Sequence, residues 1–338
     1  MKVTKYDHTI CLEITPSTNV NKLVSSVESL YKDKIAIVIE LSETNIKILL
    51  IPEYRHIKYF DDNVYNTIPK IFDKKSLMPH NTFKSSFFKK TLVFHTVDHT
   101  WALLPWLNIN CEYLKKITIL HFDDHDDLGS PFLDYYSSNY HEVRDPIANR
   151  NYNLLYIEDV FDAIAYGNIG IGSFILPFIA QFKDCHLIHI REDINHSLIA
   201  KKKRLFLKQC QFQELTFNRL DISDSESNLY DFLYSKVTID EIKDIIDTDL
   251  LIVDIDCDYF YNKNKWDNKF YKSELTFQEL EKKLNRVFKK LRQIKGKRKI
   301  ICFTIALSPD FFPSKYWEFT YKKINLLISD IANSNDFL

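Results

Sequence analysis

Glycine is the residue that this sequence most lacks, with five among 338 residues, where about 7% is usual. So little glycine excludes a glycine-rich loop of the kind that cradles phosphate groups, and it excludes a flexible low-complexity protein. Net charge is nearly absent as well, because 45 Lys and Arg residues balance 46 Asp and Glu residues. A balanced chain has no overall attraction for nucleic acid or for an anionic membrane. We therefore expect neither as a partner.

Closely spaced cysteines and long apolar runs are missing too. The six cysteines are scattered without a Cys-x-x-Cys pair, which excludes the dense disulfide framework of a small secreted domain. No window reaches the roughly 18 apolar residues of a membrane span, and the first residues do not have the apolar stretch of a signal peptide. We expect a soluble, cytoplasmic protein with reduced thiols.

The sequence does contain short apolar runs that alternate with longer segments of helical spacing. This alternation is typical of βα units around a largely parallel sheet, and it predicts an α/β fold. The predicted strands are 92–95, 117–122, 186–190, 250–255 and 299–305. The predicted helices are 99–115, 159–166, 193–209, 239–247, 273–295 and 314–332.

Residues 1–90 have a different pattern, and we separate them from a core at 91–338. Apolar runs at 10–14, 35–39 and 46–51 predict strands around one helix at 21–31, and a polar, aromatic segment follows at 61–90. A basic run at 201–204 falls in a predicted helix. Such a run is more typical of a solvated face than of a nucleic-acid site.

The most informative stretch follows the predicted strand 117–122 and reads Asp-Asp-His-Asp-Asp. It contains Asp123, His125 and Asp127 at alternate positions. Ligands bind beyond the carboxyl ends of strands in an open parallel sheet, so the position favours a functional site over a solvated acidic loop.

Two further groups follow predicted strands in the same way. Asp254 and Asp256 end the apolar strand 250–255, and His99 follows the strand 92–95 directly after Asp98. Carboxylates with one or two imidazoles and no cysteine suit Mn²⁺ or another divalent first-row ion. Four clustered carboxylates need compensating cations, and two divalent ions would balance them.

At this point the chain resembles the arginase or ureohydrolase superfamily over about residues 91–310. The Asp-x-His-x-Asp motif of that family is matched by Asp123, His125 and Asp127, and its Asp-x-Asp motif by Asp254 and Asp256. His99 matches the histidine of the first motif, although Thr96 and Val97 replace its two glycines. The resemblance implies a three-layer fold, with helices on both faces of a mostly parallel sheet, and two Mn²⁺ ions per chain.

The resemblance also implies a ligand set and a reaction. One ion is held by His99, Asp123, Asp127 and Asp254, and the other by Asp123, His125, Asp254 and Asp256. A hydroxide between the ions attacks the carbon of a guanidinium group and releases urea, with Asp127 orienting it and His141 shuttling protons. The competing interpretation is that His141 is an ordinary surface histidine. Asp258 is offset by one residue from the third Asp of the family motif, so it stays outside this set.

Two departures from the family bear on the substrate. Gly129 stands where arginases have an Asn that holds the carboxylate of free arginine, and Ala306 stands where they have a Glu that holds its amino group. The pattern is similar to that of bacterial peptide arginases, which convert arginine side chains in ribosomal precursor peptides to ornithine. We therefore expect an arginine-containing precursor peptide as partner. Residues 1–90 are either a place to hold that peptide as an added strand or a scaffold for the fold.

Other functions remain open at this stage. They are a ureohydrolase acting on a free guanidino compound, a metal-dependent deacetylase of the same fold, and a non-catalytic adaptor. A deacetylase uses a single ion and does not need both Asp127 and Asp256, while an adaptor would fail to bind metal. The sequence does not indicate an oligomeric state.

Overall fold

The computed structural model describes most of the chain, in thirteen segments. They are residues 8–31, 34–52, 61, 63–72, 82–109, 116–136, 139–182, 184–194, 196–226, 229–263, 274–295, 298–309 and 311–333. The chain forms two compact units, each built from three segments. Unit 1 contains Met1–Tyr59, Asp127–Gln181 and Leu205–Ser223, and unit 2 contains Phe60–Asp126, Phe182–Arg204 and Asp224–Leu338.

The described residues form fifteen strands and eight α-helices. The strands are β1 (His8–Glu13), β2 (Lys34–Leu41), β3 (Asn45–Pro52), β4 (Phe83–Phe88), β5 (Thr91–Thr96), β6 (Ile117–Phe122), β7 (Asp134–Tyr135), β8 (Glu142–Arg144), β9 (Asn151–Asn153), β10 (Cys185–Ile190), β11 (Leu198–Phe212), β12 (Leu215–Asp224), β13 (Phe232–Val237), β14 (Leu250–Asp256) and β15 (Lys299–Ala306). The helices are α1 (Val20–Leu30), α2 (Val64–Phe72), α3 (Leu103–Leu107), α4 (Ile157–Ala165), α5 (Ile175–Gln181), α6 (Ile242–Ile245), α7 (Phe277–Lys295) and α8 (Trp317–Asn333).

A nine-stranded mixed sheet is the largest element of the fold. Its strand order is β12-β11-β13-β10-β6-β14-β15-β5-β4. The neighbouring pairs from β13 across to β5 are parallel, whereas β4 and β11 run antiparallel to β5 and β13. The strands β6 and β10 are buried along their whole length, as their uninterrupted apolar runs predict for a sheet covered on both sides. The α/β class and the five predicted core strands are confirmed.

Helices pack against the sheet within unit 2. Val253 and Ile305 pack in one apolar core with Leu284 of α7 and Ile324 of α8. Thr304 precedes Ile305 and therefore points to the opposite face. The indole N–H of Trp106 in α3 donates a hydrogen bond of 3.2 Å to the Thr304 hydroxyl on that face. The polar residues discussed below lie on this second side.

The longest helix, α7, begins where the sequence supplies a cap. Thr276 and Glu279 form a reciprocal capping box at the start of α7, in which the Thr276 hydroxyl accepts from the Glu279 N–H and the Glu279 carboxylate accepts from the Thr276 N–H. The predicted helix 273–295 is therefore confirmed as α7, although residue 273 lies outside the described residues. The predicted helix 314–332 is a short 3₁₀ turn, Ser314–Tyr316, followed by α8.

The predicted helix 193–209 is wrong, because this region forms the long strand β11. Its Lys, Leu and Gln residues are good helix formers, so local propensity pointed to a helix. Pairing with β13 overrides that propensity, and the carboxylate of Asp224 forms ion pairs with two lysines of the strand. The Nζ atoms of Lys201 and Lys203 both lie 2.6 Å from this carboxylate, as alternate residues of a strand can. The basic run 201–204 thus lies in a strand.

Other predicted elements differ in extent. The helix expected at 99–115 is a 3₁₀ turn, His99–Ala102, that continues as α3, while residues 110–115 lie outside the described residues. The helix expected at 239–247 shrinks to α6. The segment 61–90 contains α2 and β4, and both belong to unit 2. The strands β12 and β13 were not predicted.

Unit 1 has its own small sheet and core. The strands are ordered β1-β3-β2 and run antiparallel, which confirms the three strands predicted near the N-terminus. The core is mostly aliphatic, and within it the Phe132 ring meets Tyr31 at 5.0 Å and Phe217 at 5.5 Å. The division into N-terminal residues 1–90 and an arginase-like catalytic core at 91–338 stays a prediction. Among the described helices, none is both long and apolar enough to cross a membrane.

Candidate metal centre

A cluster of histidine and aspartate side chains, buried except for one histidine, lies at the carboxyl ends of the central strands of unit 2. We call it the His–Asp cluster, and its members are His99, His121, Asp123, His125, Asp254, Asp256 and Asp258. It unites residues from the ends of β5, β6 and β14, as the sequence predicted. These buried His and Asp groups could hold a metal ion.

Strand register explains one part of the cluster. His189, His121, Asp254 and Thr304 occupy equivalent positions on the neighbouring strands β10, β6, β14 and β15. Residues opposite each other on parallel strands point to the same face, so these polar side chains form one row. Asp254 is the acceptor in this row. Its Oδ2 lies 2.7 Å from Nδ1 of His121 and 2.9 Å from Nε2 of His99, and its Oδ1 accepts a hydrogen bond from Thr304.

His99 reaches the cluster from the 3₁₀ turn after β5. Asp98 caps that turn, with its Oδ1 accepting a 2.9 Å hydrogen bond from the Thr100 N–H. The Nδ1 atom of His99 lies 3.1 Å from Oδ2 of Asp123 and 3.1 Å from Oδ2 of Asp256. A six-coordinate ion with bonds of about 2.1 Å at right angles places its neighbouring ligand atoms roughly 3 Å apart. The two distances from His99 match this spacing, and the three atoms all lie within 4.8 Å of one another.

Asp123 is shared between two such groups. Its Oδ2 belongs to the His99 group, whereas its Oδ1 lies 3.3 Å from Nδ1 of His125, which is itself 3.1 Å from Oδ2 of Asp258. The Oδ2 atom is buried and accepts no hydrogen bond from the residues that the structure describes. A buried carboxylate oxygen without a donor is costly, and a cation would satisfy it. The donor set, oxygen with some imidazole nitrogen, fits a divalent first-row ion.

Asp256 is held by a strained residue. The Ser308 hydroxyl donates a 2.5 Å hydrogen bond to Oδ2 of Asp256, and the Asp258 N–H donates to Oδ1 at 3.0 Å. Ser308 is buried with φ +43°, in the left-handed region that disfavours residues other than glycine. Strain at a buried side chain that holds a carboxylate is typical of a functional site.

Burial differs sharply within the cluster. The side chain of His125 is 47% exposed and lies 5.1 Å from the Phe311 ring, whereas Asp123 and Asp258 are almost fully buried. Of the cluster residues described, His125 therefore marks the side that solvent reaches.

Protons compensate the clustered charge when no cation does. Hydrogen bonds to Asp123 and Asp258 raise the pKa of His125 to about 11. Burial, followed by the nearby Asp256 and Asp123, holds the pKa of Asp258 well above its usual range. For Asp123, burial acts to raise the pKa, but the neighbouring imidazoles of His125 and His99 outweigh it and the pKa lies well below its usual range. A cation bound here would displace protons.

Two residues with predicted roles belong to unit 1. Asp127 is its first residue after the unit boundary and is buried, with φ +50°. His141 is half-buried, and its carbonyl accepts a 2.8 Å hydrogen bond from the Leu154 N–H. Their roles toward an ion and toward proton transfer stay predictions.

Gly129 has a structural reason to be glycine. Its N–H donates a 2.7 Å hydrogen bond to the Gly172 carbonyl, and a Cβ at position 129 would overlap that carbonyl oxygen. No side chain fits there without a backbone shift. An Asn like that of arginases is therefore excluded at this position by packing.

The sequence pattern missed two members of the cluster. His121 lies inside β6, and only the register with Asp254 shows its place; its alternation with Asp123 on one face of the strand was the available signal. Asp258 was set aside because it is offset from the family motif, yet the 3₁₀ turn Cys257–Tyr259 after β14 brings it to His125.

No protein-family model matches this chain, and no curated protein matches it either.

Proposed function

We propose that this protein is a manganese-dependent hydrolase with an arginase-like, three-layer fold. Its proposed reaction converts arginine side chains in a ribosomal precursor peptide to ornithine and releases urea. The observation that carries the proposal is the shared position of Asp123, whose two carboxylate oxygens face two different histidine and carboxylate groups. A carboxylate placed in this way would offer one oxygen to each of two ions.

The distances support a specific ligand assignment. One ion would be held by Nδ1 of His99 and the Oδ2 atoms of Asp123 and Asp256. The other would be held by Oδ1 of Asp123, Nδ1 of His125 and Oδ2 of Asp258. This assignment replaces the bridging role that the resemblance implies for Asp254.

Asp254 has a different task in this proposal. Its Oδ1 accepts from Thr304, and its Oδ2 faces ring nitrogens of His99 and His121. A carboxylate behind a ligating histidine fixes the orientation of its ring and increases its basicity. We therefore assign Asp254 to orienting the two histidines.

Bound divalent ions lower the pKa of water and neutralise charge that develops on the substrate. The residues of the chain supply the rest. Ser308 fixes the oxygen of Asp256, and the buried row behind the cluster excludes water from its inner side. Substrate would approach past His125, on the exposed side. His141 is the proposed proton carrier and Asp127 the proposed orienting group, both by resemblance.

The substrate class follows from what positions 129 and 306 cannot supply. Gly129 has no room for a side chain, and Ala306 at the end of β15 offers only a methyl group. Neither can hold the carboxylate or the amino group of free arginine. A peptide-bound arginine has no such groups, so these losses suit it. A cytoplasmic location belongs to the same proposal, and the described cysteines are free thiols.

The test is an assay of the Mn²⁺-reconstituted full chain on three substrates. They are an arginine-containing peptide, free arginine and an acetyl-lysine peptide. We expect urea and the mass decrease of arginine to ornithine with the first alone. Turnover of free arginine but not of peptide, or release of acetate, would replace the proposal with a ureohydrolase or a deacetylase. Asp123→Asn should abolish activity. The control is Asp224→Asn, which changes an exposed carboxylate outside the cluster and should keep the activity.

A further inference from the structure

One carboxylate of the Asp-Asp-His-Asp-Asp loop has its oxygens engaged by side chains outside the His–Asp cluster. The Oδ1 atom of Asp124 accepts a 2.9 Å hydrogen bond from Nη2 of Arg191, and its Oδ2 accepts a 3.2 Å bond from Nδ2 of Asn262. Asp124 is mostly buried and lies between two members of the cluster in the sequence. Its side chain thus links this loop to two other parts of unit 2.

Those links lead to Asp258 by two routes. The Asp124 N–H donates to Oδ1 of Asp258 at 3.3 Å, and Nδ2 of Asn262 lies 3.5 Å from Oδ2 of the same residue. Asn262 is buried, so few alternative positions are open to its amide. The position of the Asp258 side chain is therefore fixed by contacts with the loop after β6 as well as by its own strand.

Arg191 anchors this arrangement to a third strand. It follows β10 directly, and its backbone N–H donates a 3.0 Å hydrogen bond to the carbonyl of Val237 at the end of β13. Its guanidinium also lies 3.3 Å from Oδ1 of Asp193. A charge-assisted hydrogen bond from a fixed arginine is strong and directional. The loop bearing His125 is thus held from β10.

We propose that Asp124 is a positioning residue that fixes Asp258 and His125 as a pair of ligands. The inference rests on the proposed dinuclear site, because it assigns Asp124 to the ion held by His125 and Asp258 and not to the ion held by His99. Loss of its charge weakens the hydrogen bonds from Asn262 and Arg191 to this position and lets Asp258 shift, while the His99 group keeps its contacts. Contacts of this kind around ligands change metal affinity by about 10- to 100-fold.

The test is a titration of the metal-free full chain with Mn²⁺, followed by calorimetry. The variants are Asp124→Asn and, as a matched control, Asp193→Asn, which removes the other carboxylate beside Arg191. We expect two binding events in the unaltered chain. In Asp124→Asn one of them should weaken by about 10- to 100-fold while the other keeps its affinity, and Asp193→Asn should match the unaltered chain.

Two results overturn the inference, and they separate it from the proposed function. Two unchanged affinities in Asp124→Asn refute the positioning role and leave the dinuclear site intact. Fewer than two ions in the unaltered chain refute both. If thermal unfolding shows that Asp124→Asn does not fold, Arg191→Lys is titrated instead. The lysine keeps the charge and loses the directed guanidinium, so the same single event should weaken, and equal affinities would refute the inference.

Discussion

Nε2 of His99 lies 2.9 Å from Oδ2 of Asp254, on the opposite side of the ring from the nitrogen that faces Asp123. The two nitrogens of one imidazole thus have separate partners. This geometry is the one in which a carboxylate orients a histidine toward a metal ion. It is also the contact that separates our ligand assignment from the one that the resemblance implies.

Replacement of Asp254 tests that difference. If Asp254 orients His99 and His121, Asp254→Asn weakens Mn²⁺ binding by about 10- to 100-fold and leaves two ions per chain at saturation. Calorimetric titration measures both quantities. Complete loss of both ions at saturating Mn²⁺, with the fold intact by circular dichroism, would restore Asp254 to the bridging role.

Replacement of the proposed ligands should remove ions in different numbers. Asp258→Asn removes a ligand of one ion, so elemental analysis should give one ion per chain. Asp123→Asn removes the shared carboxylate, and we expect none. The exposed Asp224→Asn is the control. Retention of two ions by Asp258→Asn contradicts the assignment of that residue.

His95 makes stability depend on pH independently of the cluster. It is buried on β5, with Nε2 3.1 Å from Oδ1 of Asn325, and burial lowers its pKa to about 4. The unfolded chain therefore binds a proton more readily than the folded chain between about pH 6.5 and 4. The stabilisation is complete above pH 6.5 and is lost as the pH falls through this range.

Chemical denaturation across that range measures the effect. Between about pH 6.5 and 4, the decrease in the free energy of unfolding should be about 3 kcal/mol smaller in His95→Gln than in the unaltered chain. The exposed His196→Gln is the matched control and should keep the full pH dependence. Equal slopes in His95→Gln and the unaltered chain would show that His95 is not the group responsible.

Two glycines of unit 1 should differ in their tolerance of a methyl group. Gly172 has φ +79°, and a Cβ there would lie 3.8 Å from Oδ1 of Asp127, an ordinary contact, so Gly172→Ala should cost about 1 to 2 kcal/mol of backbone strain. Gly129→Ala places a Cβ on the Gly172 carbonyl and should cost about 3 kcal/mol or more. Thermal unfolding of the two variants gives the order. A less stable Gly172→Ala would contradict the close packing at position 129.

The sequence predicted the core strands well, because continuous runs of Ile, Val and Leu have few alternatives to a buried parallel strand. The sequence also predicted that His99, Asp123 and Asp256 lie close together, because parallel strands end at one edge of the sheet. It failed at β11, where helix-forming residues such as Lys201 and Lys203 are held in a strand by pairing and by Asp224.

The missed cluster residues have a different cause. The place of His121 beside Asp254 depends on the register between β6 and β14, which a single sequence does not encode locally. Asp258 depends on one 3₁₀ turn after β14, whose residues have no distinctive pattern. Residues whose positions depend on long-range pairing are therefore the ones that the sequence pattern does not predict.

The most direct test of the dinuclear site is the count of Mn²⁺ ions per chain. The full chain is freed of metal with a chelator, reconstituted with excess Mn²⁺, dialysed and measured by elemental analysis against protein concentration. Two ions per chain is the result that we predict from the shared carboxylate of Asp123. One ion or none would contradict the dinuclear site and, with it, the proposed hydrolysis of the guanidinium group.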